Sequence, residues 1–414
     1  MKTRNPSRSC VLFIYDLVQV SQRANSFCRS STLPSFQYSN HSRRCRVTCR
    51  LTNRHLFSVA PMMDVTDKHF RKLARFISKH SVLYTEMIVD NVILHSDEEK
   101  LRRILDCDNA QRPLCLQVGG SDPNKVSKAV HLAHQFFCYD EYNLNCGCPS
   151  DKVSSQGCFG AILMQQPEKV ARITSLVADT VGKPMTVKCR IGVDHHDSYE
   201  FLFNFVHIVS TLGHVNHFII HARSAWLSGL SPKENRSRPP IKYEYVYRLK
   251  KDFPHLQFTL NGQVSTLEDV AMHISKGVEG VMLGRAVMER PWDSLRLVDS
   301  ILYDDFNTLI SRRSVVEKYL EYVAQCEGHS SRYILVKPVL QLFAGEQNCR
   351  LFRAKCGDYL QQGCSASDAI RYALSLLSHS VLEQQSWNSD ELLTFKDIKK
   401  RVAETNHING GVLI

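Results

Sequence analysis

The sequence predicts an α/β protein, a (β/α)8 barrel of the TIM type followed by an all-helical C-terminal domain, and three observations predict it. Eight short, β-branched apolar runs recur between residues 56 and 285. Each is followed by a polar turn and most then by apolar residues three and four apart, the mark of an amphipathic helix. After about residue 305 the runs stop and only the helical spacing continues. Eight strand–helix units in this span agree in number, order and size with a closed parallel barrel. An open doubly wound sheet is the structural rival, but it begins with a glycine-rich turn, and the first turn here is Ala60-Pro61-Met62-Met63.

In chain order the runs are Leu56–Pro61, Val82–Met87, Pro113–Gly120, Glu141–Gly147, Pro184–Gly192, His217–Arg223, Gln257–Gly262 and Gly280–Arg285. Between the first two, Asp67–Lys79 carries Phe70, Leu73, Ala74 and Ile77 on one helical face. Thr266–Lys276 opens with Thr266 and Asp269 at capping-box spacing. The C-terminal helices are expected at 311–327, 331–344, 348–362 and 365–382, for example with Val316, Tyr319, Leu320 and Val323 along one stripe. The organisation is therefore a leader (1–55), a barrel (56–305), a helical domain (306–385) and a polar tail (386–414).

The chain has 414 residues and a formal charge of +11, of which the leader, with ten Lys/Arg and one acidic residue, supplies +9. An Arg- and Ser-rich, acid-poor leader has the composition of an organelle transit peptide, with a cytosolic tail as the alternative. The remaining body is nearly neutral, so any polyanion must be held by local cationic patches. No run reaches the length of a membrane span. The fifteen cysteines show no paired CxxC spacing, which assigns neither a metal site nor a disulfide framework.

Barrel chemistry is done at the carboxyl ends of the strands. Those ends present Met62-Met63, Glu86, Gln117, Asn145 with Cys148, Lys188 with Arg190, His221 with Arg223, Asn261-Gly262 and Gly284-Arg285. A lone Gln or His there is ordinary packing; polar groups at nearly every strand end are not. The turns Asn261-Gly262 and Leu283-Gly284-Arg285 follow the seventh and eighth strands, where such barrels bind phosphate through backbone N–H groups. Lys188 can stabilise negative charge developing on a ring, and Gln117 can pair with an edge offering donor and acceptor. Together they describe an FMN site better than a sugar-phosphate site.

Cys148, in Asn145-Cys146-Gly147-Cys148-Pro149-Ser150, is a suitable proton donor to carbon. Its alternatives are a small buried residue at a turn or a redox partner of Cys146. The loop Ser154–Gly160 contains glycine and can fold over a ligand.

The segments SVAPMMDVTDKHFRKLAR, YTEM, LQVGG, YNLNCGCPSDKV, FGAILM, VKCRIG, IIHARSAWLSGLSPKENRSRPP and VMLGRA resemble successive motifs of the tRNA-dihydrouridine synthases, the A-type subfamily above all, from about residue 57 to 360. The resemblance implies an FMN barrel with an appended domain that grips tRNA, driven by NADPH and acting on D-loop uridines near position 20; the chain is expected to act as a monomer. It implies hydride transfer from flavin N5 to C6 of the uracil and a proton from Cys148 to C5. By the same likeness Pro61, Met62 and Met63 lie along the flavin, and Gln117, Lys188 and His221 touch its ring or ribityl chain. Asn261, Gly262, Gln263, Gly284 and Arg285 hold its phosphate. Asn145, Arg190 and Arg223 position the uridine, and Lys233, Arg236, Arg350 and Arg353 contact tRNA.

Three departures stand out. Gln263 replaces a second glycine, Ser224 stands where the family often has lysine, and the loop before FGA is one residue longer than in many bacterial members. The alternatives are a flavin barrel acting on free pyrimidines, which leaves the helical domain and the KENR loop without a purpose, and a catalytically inactive tRNA-binding barrel, against which Cys148, Lys188 and His221 all speak.

Overall fold

The computed structural model describes residues 55–106, 108–149, 159–306, 309–388, 390, 391, 393 and 394. The leader up to residue 54, Ser150 and most of the Ser154–Gly160 loop, and most of the tail lie outside the described residues. Eight strands form the barrel: β1 (Phe57–Val59), β2 (Val82–Tyr84), β3 (Leu114–Gly119), β4 (Glu141–Cys146), β5 (Met185–Arg190), β6 (His217–His221), β7 (Gln257–Asn261) and β8 (Gly280–Leu283). Every neighbouring pair is parallel, and β1 pairs with both β2 and β8, so the sheet closes. All eight expected runs are strands, as sustained apolar character in a doubly covered sheet requires.

The second run differs from expectation. Its strand stops at Tyr84, and a separate two-residue strand, Ile88–Val89, pairs with the end of β3. The jog comes from Thr85, whose hydroxyl accepts the Gln117 N–H at 3.1 Å in place of a backbone carbonyl.

Helix α1 (Lys68–Ile77) buries the four residues its spacing predicted, and the Asp67 carboxylate caps it by accepting from the His69 and Phe70 N–H groups. Helix α2 (Leu267–Ser275) begins with the expected Thr266/Asp269 capping box. After the barrel come α3 (Arg312–Cys326), α4 (Arg332–Val336), α5 (Cys349–Gln361), α6 (Ala366–Leu374) and α7 (His379–Leu382). Two expected helices are broken. Pro338 has no N–H, and the stretch after α4 tightens into a 3-10 turn, Lys337–Gln341. Ser378 starts a new helix by accepting the Val381 N–H at 3.3 Å.

Barrel and helices are joined by specific contacts. Tyr322 Oη lies 2.8 Å from His69 Nδ1, and the Lys337 amine donates to the Asp64 carbonyl, whose own N–H is held by Glu86. No helix among the described residues is long and apolar enough to cross a membrane.

Inside the barrel the alternation of the strands stacks side chains in levels. A plug of Ala60, Val82, Tyr84, Cys115, Ile219 and Met282 fills the waist, with Met62 packed against it. At the floor, where the strands begin, Glu141 accepts from Thr186 at 2.8 Å and His217 Nε2 lies 2.8 Å from Thr259 Oγ1. At the mouth stand Gln117, Asn145, Lys188, His221 and Asn261.

Candidate active site

A single hydrogen-bonded file runs from floor to mouth through β3, β4 and β5. The Cys148 N–H donates to Asn145 Oδ1 (2.9 Å), Asn145 Nδ2 to Gln117 Oε1 (2.9 Å), Gln117 Nε2 to Asn143 Oδ1 (2.8 Å), Asn143 Nδ2 to Thr186 Oγ1 (2.9 Å) and Thr186 to Glu141 Oε1 (2.8 Å). Every donor points the same way and the file ends on a carboxylate, so each bond polarises the next. Asn145 Oδ1 also accepts the Gly147 N–H at 3.0 Å, which sets the backbone bearing Cys148. The Cys148 carbonyl accepts from Ala161 N at 2.9 Å on the far side of the loop. Asn143 and Thr186, both buried, were not singled out by sequence; a polar residue inside an apolar strand run is the signal that could have found them.

Around the half-buried Cys148 stand cations. Burial pushes the Lys188 amine down to about 8, with Arg190 adding to the push and Cys189 and Cys148 opposing it. Lys188 Nζ reaches Asn261 Oδ1 at 3.3 Å, and Asn261 Nδ2 donates to the Met282 carbonyl at 2.7 Å, joining β5, β7 and β8. Burial holds His221 well below the ordinary imidazole range, helped by Arg190, Lys188, Arg223 and Arg285. Arg236, on the loop after β6, is likewise lowered by burial and by Arg285, and Cys148 raises it. Among the groups that shift Lys188, Arg190, His221, Arg223 and Arg236 there is no carboxylate. Positive charge gathered without a counter-charge fits an anionic occupant.

Arg190 is committed to its own chain. Its Nε donates to the Gly147 carbonyl (3.0 Å), and Nη1 to the carbonyls of Ser224 (3.0 Å) and Asn235 (2.8 Å), tying three mouth loops together. Arg223 donates to Pro239 O and to Gln263 Oε1. Asn235, fully buried, fastens the KENR loop by exchanging hydrogen bonds with the Trp226 backbone, both at 2.8 Å. Sequence reasoning named its neighbours Lys233 and Arg236 and passed over it.

The turn after β7 is built for close approach. Gly262 has φ +123°, and a Cβ there would sit 2.7 Å from His221 Cδ2. Gln263, in the place of a family glycine, takes φ +53°, a left-handed conformation that costs a non-glycine residue roughly 1–2 kcal/mol. Its contact with Arg223 is one a glycine could not make. At Gly284 a Cβ would make only ordinary contacts, 3.5 Å from Ala60 Cβ and 3.6 Å from Met62 Sδ, so it is the turn after β7 that requires its glycine. Arg285 is exposed and donates to the Arg236 carbonyl at 3.3 Å.

The structure thus brings together Cys148, Asn145, Gln117, Lys188, Arg190, His221, Arg223, Arg236, Asn261, Gly262, Gln263, Gly284, Arg285 and Met62. Pro61 is half-buried beside them in sequence, whereas Met63 is 57% exposed. Lys233 and Arg350 are exposed, without a side-chain hydrogen bond or ion pair among the described residues. Arg353 is tied back to the protein, donating to Cys349 O on its own helix and to Gln341 Oε1 at the end of the preceding 3-10 turn, both at 3.3 Å.

Comparison with known proteins agrees with this arrangement. The family model described as dihydrouridine synthase (Dus) matches residues 58–372. The tRNA-dihydrouridine(20/20a) synthase of Synechocystis is 44% identical over 318 residues, 77% of this chain and 93% of that protein. The proteins of the same name from Shewanella oneidensis (39% over 329 residues; 79% and 96%) and Escherichia coli K12 (40% over 324 residues; 78% and 91%) are similar over a comparable length. The match begins within β1 and runs on into α6, so it takes in nearly all of the barrel, the cationic mouth around Cys148 and most of the C-terminal helices, and the chain belongs to the dihydrouridine synthase family.

Proposed function

We propose that this chain reduces a uridine of transfer RNA to 5,6-dihydrouridine, at position 20 or 20a as the names of its relatives suggest. The observation that carries the proposal is a thiol, Cys148, whose loop is fixed at the barrel mouth by Asn145 Oδ1 and by the Arg190 guanidinium on the Gly147 carbonyl, with the Lys188 amine close enough to feel its charge. FMN, reduced by NADPH, would supply the hydride that C6 of the uracil accepts.

The residues fit that cofactor. Asn261, Gly262, Gln263, Gly284 and Arg285 offer two glycine-containing turns with one guanidinium for the phosphate. Lys188 and His221 would face its ring or ribityl chain, Gln117 a ring edge through the N–H and lone pair that the file leaves over, and Pro61 with Met62 and Met63 would lie along it. Asn145, Arg190 and Arg223 would position the uracil, with the backbone ties of Arg190 and Arg223 keeping the pocket walls in place. Cys148 would deliver its Sγ proton to C5, so that hydride and proton together saturate the C5–C6 bond. Lys233 and Arg236 beside the mouth, and Arg350 and Arg353 on α5, are the proposed tRNA contacts, which suits a nearly neutral body that must hold a polyanion locally. The helices after the barrel act as the tRNA-gripping domain, the protein works as a monomer, and the leader directs it to an organelle.

The purified protein, loaded with FMN and given NADPH, should form dihydrouridine in unmodified tRNA and leave free uridine untouched. Equal turnover of free uridine would favour a pyrimidine reductase, and a preparation that never binds flavin would favour an inactive barrel.

Lys188 supplies a pH test. Its amine is cationic below its lowered pKa and neutral above it, so charge stabilisation is lost as pH rises. Flavin reduction should therefore fall along an alkaline limb at about pH 8, or somewhat higher with an anion bound. In Lys188→Arg, whose guanidinium stays charged, that limb should vanish even if the maximal rate drops. A limb unchanged in Lys188→Arg would assign the titration to another group.

A further inference from the structure

We propose that the floor of the barrel, at the end opposite the mouth, binds one divalent transition-metal ion of the zinc class through His55, Glu141 and His217. One ring nitrogen of each histidine and one carboxylate oxygen of Glu141 lie within 4.8 Å of one another. Donors roughly 2.0–2.2 Å from a tetrahedral zinc ion are about 3.4 Å apart, so a side-chain shift of about an ångström brings all three to the ion and leaves the fourth position to a water.

The strongest sign that a ligand belongs there is His217. The residue is 2% exposed, and its Nε2 is engaged by Thr259 Oγ1 at 2.8 Å. Its Nδ1 is buried with no hydrogen-bond partner among the described residues. Buried polar nitrogens are rarely left unmet. An imidazole whose one nitrogen is oriented by a hydroxyl while the other is bare is the arrangement seen in metal-bound histidines.

The other two donors are poised in the same way. Glu141 directs Oε1 into the hydrogen-bonded file, accepting from Thr186, and turns Oε2 toward His55 Nε2 at 3.4 Å. His55 lies 4.5 Å from His217 between ring centroids, tilted by 60°. Its backbone is seated by Gly280, where a Cβ would be 1.8 Å from the His55 carbonyl oxygen, so only glycine admits the chain at this point. Two imidazoles and a carboxylate suit zinc-class ions, whereas magnesium and calcium favour oxygen ligands throughout. The ion would clasp the chain just before β1 to the starts of β4 and β6. A site at the strand beginnings serves stability and not the reaction.

The test uses the full-length protein, stripped by a chelator and titrated with Zn2+. One ion per chain should bind and raise the melting temperature. Co2+ in its place should give visible ligand-field bands without thiolate charge transfer. His55→Ala, outside the strands and partly exposed, should weaken Zn2+ binding by at least the roughly 10–100-fold that disturbing a partner of a metal ligand costs. Zinc held equally well by wild type and His55→Ala, or cobalt spectra dominated by thiolate bands, would mean capture by the free cysteines and would overturn the site. So would a wild-type protein whose melting temperature ignores Zn2+.

Discussion

Replacing Cys148 by alanine is expected to lower dihydrouridine formation by about 10²–10⁴-fold, the usual contribution of a positioned general acid, while the flavin stays bound. The separation of the two effects follows from how the residue is held. The Cys148 N–H rests on Asn145 Oδ1 and its carbonyl receives Ala161 N–H, so the backbone keeps its place without the sulfur. The proposed flavin ligands Lys188 and Asn261 are on other strands, and Gly262 is in the turn after β7. Single-turnover measurements with pre-reduced enzyme and unmodified tRNA would isolate the step. Full activity in the alanine variant would remove Cys148 from the chemistry, and loss of flavin would make it a structural residue.

The strands and the mouth are legible in the sequence for one reason: both are written locally. Each strand is a contiguous apolar run, and each mouth residue sits at the end of one, so Lys188, His221 and Asn261 can be placed before any contact is known. Gln263 is a further case, since its departure from a family glycine is visible in the sequence and the residue takes a positive φ. What escapes is anything decided across strands. Asn143, with no exposed surface, looks like a polar interruption of YNLNC, and its importance appears only when Gln117 and Thr186 are set beside it. Asn235 was hidden among the charges of KENR, and the split of the 331–344 helix turned on the missing N–H of Pro338. The floor cluster is the extreme instance, because His55, Glu141 and His217 lie far apart along the chain and no spacing rule for metal ligands joins them.

The arrangement of the mouth also explains why so much polarity is tolerated inside the barrel. A buried amide costs free energy unless its donors and acceptors are met, and here each amide meets the next until the Glu141 carboxylate closes the series. Asn145 profits from this, because its Oδ1 can accept two N–H groups from the Cys148 loop only while its Nδ2 is held by Gln117. Orientation of the proton donor is therefore set several residues away, in the interior.

Substituting Asn143 by leucine, close to it in size, is expected to destabilise the protein by about 2–4 kcal/mol, because Gln117 Nε2 loses its acceptor in a buried site and Thr186 Oγ1 loses a donor. Activity should fall further than stability explains. With Gln117 released, Asn145 is no longer fixed, and the Cys148 loop samples positions in which its thiol misses C5; positional errors of this kind cost up to about 10²-fold. Chemical denaturation and single-turnover kinetics on the same variant read the two effects separately. The double variant Asn143→Leu/Gln117→Met provides the decisive comparison. Removing both partners of a buried hydrogen bond is far less costly than removing one, so it should recover part of the stability while the rate stays low. If the two losses simply add, the file does not act as a unit and Cys148 is held by its own loop alone.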